Sequence, residues 1–373
     1  MNRLPYLDAL RVFAFALLIP YHVGMYYVSW DWHVKSPHAS ALLEPFMRLS
    51  SPWRLGLLFF VGGVAAQLLW AKRGSLGLLK DRSYRLLFPL LVGMLVVVVP
   101  QAYFEVKTQA PSLLPGDGGY LDFWASYLRG ARFCDADGCL TTPTWNHLWF
   151  LPYLWLYALA APLLARLGRL PALRLPDWAW CLLPALPLVL ARWFVFPHFP
   201  STHDLVHDHY NHLQYAYLFA LGWASRQALA EGLWQAAKRR RWPLLALALA
   251  SWALLVAYYQ TYANVAPPTH WRMAQRAVWA LMAWWAIAAA CGWMQHWFNR
   301  DLAWLRAASS AVFCLYVLHQ SVIVVLTQAL APLALPWGLE ALLLLVLTFA
   351  LSLLGYQVLR RVPWVRQGFG IRA

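Results

Sequence analysis

Stretches of about twenty apolar residues recur along this chain with almost no charge inside them, and that leaves few folds open. A bilayer core needs about twenty residues of helix to cross, and only helices and closed barrels satisfy their own backbone in lipid. Unbroken apolar runs of this length, without strict alternation, select the helix. Ten segments qualify: 7–28, 53–71, 86–105, 147–165, 178–196, 212–230, 243–262, 272–296, 308–330 and 338–359. The 373 residues are 61% hydrophobic and 12% charged, where soluble domains carry about 25% charged residues. The expected fold class is therefore an all-α polytopic membrane protein, with about ten transmembrane helices forming one bundle and residues 1–373 as a single domain. The N-terminus runs directly into the first span with no small-residue cleavage site, so no signal peptide is expected.

Lys and Arg divide unequally between the two sides. With the N-terminus inside, 20 fall on the inner side and 9 on the outer, and Arg11 lies within the first span. Both termini are expected in the cytoplasm. The same asymmetry accounts for a net charge of +15 without nucleic acid as a partner. The 24 Trp cluster near span ends, where indoles anchor at the interface, although outer-face aromatics also suit sugar rings.

Chemistry is suggested by ionisable groups placed where lipid makes them costly. Arg11 and His22 share the first span, and eleven helical steps put them on one face, roughly 16.5 Å apart along the axis. Arg11 would sit near one membrane surface and His22 deep in the hydrocarbon, so His22 should face a bundle interior or a wet cavity. It is either a buried neutral histidine bonded to a neighbouring helix or a general base able to take a proton near pH 7. Asp8 and Arg11, at i and i+3, suit an ion pair on one helix face. A second intramembrane histidine, His319 in Tyr316-Val-Leu-His319, makes a shared polar cavity plausible. Arg82 and Arg85 fall on one face at the inner start of the third span, where they can fork onto phosphates or supply ordinary inner-side charge.

On the outer side, Glu105 ends the third span, where it either orients a histidine, binds hydroxyls or caps the span. Asn146-His147-Leu-Trp149 opens the fourth. His203 and His207 have the i, i+4 spacing of zinc ligands, but no Glu completes the motif and prolines flank it, so no metal site is expected. Cys134 and Cys139 share a polar loop and can pair if that loop meets an oxidising compartment, while Cys181, Cys291 and Cys314 read as packing residues. Walker-type and dinucleotide glycine loops are absent, which argues against direct ATP or NAD chemistry.

Leu7-Asp8-Ala-Leu-Arg11, Ile19-Pro20-Tyr21-His22, Trp32-His33-Val34-Lys35-Ser36, Arg82-x-x-Arg85 with Pro89, His147-Leu-Trp-Phe-Leu151 and Tyr316-x-x-His319 together resemble the membrane acyltransferase 3 family. The likeness runs from the first span to the ninth. It implies an O-acyltransferase in a bacterial inner membrane that uses a cytoplasmic acyl-CoA, succinyl-CoA or acetyl-CoA, as cosubstrate without a permanently bound cofactor. The implied acceptor is a glycan hydroxyl outside, with succinylation of periplasmic glucans as the most specific expectation. His22 would be catalytic, with Arg11, Arg82, Arg85 and Asp8 in donor binding or site support. Tyr316, His319 and the Trp149 indole are candidates for the oxyanion partner, and Trp32, His33, Glu105, His147 and Trp149 for the acceptor side. Acetyl transfer to another envelope polysaccharide, a proton-coupled glycan transporter and a non-catalytic scaffold for a glycan synthase are the alternatives. Expected partners include the glucan synthesis machinery or a second copy of the chain.

Overall fold

The computed structural model of the chain describes residues 4–135, 138–166, 171–230 and 232–371. Arg3, Arg169 and Arg372, counted above on the inner side, lie outside the described residues. Among the described residues, eight helical stretches are long and apolar enough to cross a membrane: Pro5–Tyr27, Ala41–Val97, Asn146–Leu164, Asp177–Val195, Arg241–Thr261, Thr269–Trp297, Ala303–Leu333 and Trp337–Leu359. The expected segments 53–71 and 86–105 both draw on the stretch Ala41–Val97, and the latter runs on into the helix Val99–Gln109. The expected segment 212–230 is a shorter helix, His209–Ala224, of 16 residues.

Prolines shape the spans. The first span is two helices, Pro5–Ala16 and Leu18–Tyr27. Pro20 has no N–H to offer the Ala16 carbonyl and its ring crowds that oxygen, so the helix breaks where the bond would have formed. Wide π-turns at Ser83–Leu87, Gly93–Val97 and Ala191–Val195 each lie just ahead of a proline, Pro89, Pro100 and Pro197. The same missing donor leaves the preceding turn free to widen.

By its internal contacts the chain divides into two compact units, each assembled from three separate stretches. The first takes residues 1–14, 45–82 and 153–309; the second takes 15–44, 83–152 and 310–373.

In the first unit, the helix Arg54–Arg82 packs against His209–Ala224 through glycines that let the backbones touch. A Cβ on Gly63 would lie 1.9 Å from the Phe219 carbonyl oxygen, and one on Gly222 would lie 2.0 Å from that of Phe60. Fully buried Phe59, Phe60, Phe219, Trp223 and Trp284 fill the surroundings. Because the obstruction is backbone, Gly63→Ala forces the helices apart. It should destabilise the protein by about 3 kcal/mol, seen as a lower thermal midpoint in detergent; an unchanged midpoint would show that the contact is not tight. The helix also bends at Gly74, whose φ of 65° a side chain would resist.

In the second unit, Leu18–Tyr27, the later part of Ala303–Leu330 and Trp337–Leu359 share an apolar cluster of Val23, Tyr26, Tyr27, Val34, Ile323, Val324 and Leu344. A second cluster joins Val99, Ala102, Tyr103 and Val106 to Phe123, Tyr127 and Phe133. It carries a short helix, Tyr120–Leu128, and a hairpin of Arg132–Cys134 with Cys139–Thr141. Cys134 and Cys139 are joined by a disulfide across that hairpin.

Candidate active site

The second unit gathers three histidines from three distant parts of the chain. His22 Nδ1 lies 2.8 Å from His319 Nε2. His319 is fully buried, and its Nδ1 lies 2.6 Å from the Tyr316 carbonyl oxygen. A carbonyl only accepts, so His319 Nδ1 carries the proton and, in the neutral ring, Nε2 is the acceptor. His22 Nδ1–H therefore donates to His319 Nε2, which leaves Nε2 as the basic nitrogen of a neutral His22. Two ordinary hydrogen bonds thus fix both tautomers.

His147 is set the other way. Its Nε2 donates to the Val317 carbonyl at 3.1 Å, and its Nδ1 accepts from the Gln101 amide at 3.2 Å. With both nitrogens engaged, His147 is a packing surface for its neighbour: its ring stands at 90° to that of His319, with centroids 5.2 Å apart. Tyr316 donates its hydroxyl proton to the His147 carbonyl at 2.8 Å. That carbonyl holds the proton, and the Tyr316 ring packs against those of His147 and His319.

Gln101, wholly buried, organises the floor of this cluster. Its amide nitrogen donates to His147 Nδ1 and to Ser321 Oγ (2.6 Å), and its oxygen accepts from Asn146 (3.2 Å) and Gln320 (3.0 Å). Ser321 donates onward to the Val97 carbonyl. Every polar atom of the buried amide is satisfied, which makes the network rigid. Sequence reasoning assigned no role to Gln101, Asn146, Gln320 or Ser321. The one available signal was an amide set in the apolar run around Pro100.

Towards the end of the helix Val99–Gln109, Glu105 pairs with His33 Nδ1, and Gln109 donates to the Trp32 and His33 carbonyls at 3.2 and 3.0 Å. The loop bearing Trp32 and His33 is held at its other end by Lys35. Its ammonium donates to the carbonyls of Met25 (2.7 Å), Val28 and Trp30 (2.8 Å), closing the C-terminal end of Leu18–Tyr27. Burial there pushes the Lys35 ammonium below the usual lysine range. Trp149 is buried in the turn Asn146–Trp149.

Arg85 sits in the π-turn Ser83–Leu87 of the same unit, beside Tyr84, which bonds Gln367 of the C-terminal turn Arg366–Phe369. Asp8, Arg11 and Arg82 belong to the first unit, where Asp8 accepts a hydrogen bond from Ser309 at 2.6 Å. His203 and His207 also lie there, in irregular chain: His203 Nε2 is 3.1 Å from Ser201 Oγ, and His207 pairs with Asp204 at 3.0 Å. Without a helix the zinc spacing has no meaning, and no metal-binding group of three ligands occurs among the described residues. Nearby, fully buried Asp208 accepts from Tyr153, Asn211 and two backbone amides, which orders this loop.

The sequence pattern of a family described as an acyltransferase domain matches residues 4–357. Among curated proteins, glucans biosynthesis protein C of Escherichia coli (strain K12) is 27% identical over 158 residues, 40% of this chain and 37% of that protein. The protein of the same name from Shigella dysenteriae serotype 1 (strain Sd197) is 26% identical over 160 residues, with the same coverage. The match thus spans little more than a third of the length of these relatives. No solved structure matches. With apolar helices throughout and a domain match over nearly its whole length, the chain belongs to the acyltransferase 3 family of membrane proteins.

Proposed function

We propose that this protein is an inner-membrane O-acyltransferase that moves an acyl group, succinyl foremost, from cytoplasmic acyl-CoA to hydroxyls of a periplasmic glucan. The observation that carries the reading is the His22–His319 pair, whose hydrogen bonds leave His22 Nε2 as a base inside a membrane helix. Family membership supplies the reaction class, and the name of the relatives supplies the acceptor class. The Cys134–Cys139 disulfide fits an outer loop in an oxidising compartment. On this reading residues 1–373 are one domain of ten spans with both termini inside.

His22 Nε2 takes the proton of a sugar hydroxyl as its oxygen attacks the thioester carbonyl. The tetrahedral oxyanion collapses, the carbon–sulfur bond breaks, and the imidazolium returns the proton to the departing thiolate. An ester and free CoA result, with no net proton change. Throughout, His22 Nδ1–H stays on His319 Nε2, which steadies the imidazolium. Arg82 and Arg85 hold the donor phosphates, with Arg11 and Asp8 in support, while Trp32, His33, Glu105 and Trp149 face the acceptor.

Purified protein in detergent, given labelled acyl-CoA and glucan, should transfer label. A proton-coupled carrier has no gradient to use in detergent and would transfer none, which would end this reading. Replacing Arg82 and Arg85 together by alanine should raise the donor KM by about 30-fold, with a smaller change in kcat, because phosphate contacts bind ground and transition states alike. An unchanged donor KM would remove both arginines from that role.

A further inference from the structure

The last helix, Trp337–Leu359, buries one face through Glu340, Leu344, Thr348, Ser352 and Tyr356, each four residues after the last. Its other faces are rich in exposed leucine, as expected against lipid tails. Four of the five buried residues are polar. At one end Glu340 accepts from Tyr27 of the helix Leu18–Tyr27 at 2.7 Å, and at the other Tyr356 meets Ser310 of Ala303–Leu330 at 3.0 Å. The polar face therefore lies against the two helices that bear His22 and His319.

Between these bonded ends, Thr348 and Ser352 are each 0% exposed, and among the described residues their hydroxyls have no hydrogen-bond partner. Hydroxyls in membrane helices ordinarily turn back to their own backbone, as Ser251 does to Leu247 (2.8 Å) and Thr327 to Val324 (2.7 Å). These two do not, and a buried hydroxyl left without a partner costs about 1–3 kcal/mol. Their position is informative as well. Tyr27 ends its helix and Glu340 begins its own, with Val23 and Leu344 in one cluster, so the two helices run antiparallel. Measured from that bond, His22 lies about 7.5 Å along its helix, and Thr348 and Ser352 about 12 and 18 Å along theirs. The hydroxyls thus lie between the level of His22 and the Tyr356 end of the helix.

We propose that this polar face holds the pantetheine arm of the donor, with the Thr348 and Ser352 hydroxyls bonded to its amides. The proposal rests on the reading above that the donor is an acyl-CoA. The arm is a narrow chain carrying two amides separated by a short methylene spacer, and in an apolar passage each amide needs a partner. Two hydroxyls one helical turn apart, about 6 Å, match that need. The acyl thioester at the end of the arm then arrives at the His22 level.

The test uses full-length protein in detergent carrying Thr348→Val, Ser352→Ala or both. It compares acyl-CoA with the same acyl group on a simple alkyl thiol that has no amides. The donor KM for acyl-CoA should rise about fivefold for each substitution and about 25-fold for the pair. KM for the simple thioester should stay within about twofold, and Thr348→Ser should behave as wild type. The thermal midpoint without donor should hold or rise, since an unsatisfied hydroxyl is gone. A raised midpoint with an unchanged acyl-CoA KM would overturn the proposal, leaving the hydroxyls as packing defects. Equal losses with both donors would overturn it too. Either result leaves acyl-CoA as donor, whereas a wild-type protein that moves no label from acyl-CoA would take down this proposal together with the reading beneath it.

Discussion

Replacing His22 by alanine should lower acyl transfer to glucan by at least about a thousandfold, because a positioned base contributes roughly 10²–10⁴ and neither neighbouring histidine of the cluster can take its place. The other two histidines of the cluster are spent: His147 has both ring nitrogens on protein partners, and His319 uses Nδ1 on a carbonyl and Nε2 on His22. A more pointed variant is His22→Asn. The asparagine amide reaches the Nδ1 position, so it keeps the donor to His319 while removing the lone pair at Nε2. Both variants should fold, with thermal midpoints near wild type for Asn and somewhat lower for Ala, which leaves His319 Nε2 without its donor. Both should retain donor binding, measured as protection of the thermal midpoint by acyl-CoA. Transfer by His22→Asn within about tenfold of wild type would place the chemistry elsewhere.

Much of the fold was legible because its signal is local. Apolar runs of span length give helices, and Pro20, Pro89 and Pro100 mark where those helices break or widen, each by withholding one backbone donor. What local patterns do not carry is pairing. His22 and His319 visibly interrupt apolar spans and suggest a shared polar cavity, yet they are 297 residues apart, and nothing in either segment says that the two rings bond directly. Gln101 shows the same limit. Its partners, Asn146, His147, Gln320 and Ser321, come from two other segments, and a four-way amide has no period to read. Lys35 was visible as one outer charge among nine and as part of the Trp32–Ser36 segment, with no role of its own. Its role as a three-carbonyl clasp depends on the chain doubling back after Val28. Tyr316 shows the limit again: a phenol beside a histidine suggests an oxyanion donor, and only the fold shows that the His147 carbonyl takes its proton.

The second large effect concerns a residue that need not touch substrate. His319→Leu should reduce acyl transfer by about a hundredfold, with little change in donor KM. Leucine removes the acceptor that keeps the His22 proton on Nδ1, so the ring can place its proton on Nε2 and present no base. It also removes the dipole that steadies the imidazolium while the oxyanion exists. His319→Gln is the decisive companion. The glutamine oxygen reaches the Nε2 position and accepts the same hydrogen bond, so this variant should recover activity to within about tenfold of wild type. A purely structural role predicts another order, since leucine suits a fully buried site better than a polar amide and would leave Leu the more stable and more active of the two. NMR of ¹⁵N-labelled histidine gives a readout independent of rate: His22 should be the Nδ1–H tautomer in wild type and His319→Gln, and mixed in His319→Leu. If leucine retains activity, or if the tautomer does not follow the acceptor, His319 is not what makes His22 a base.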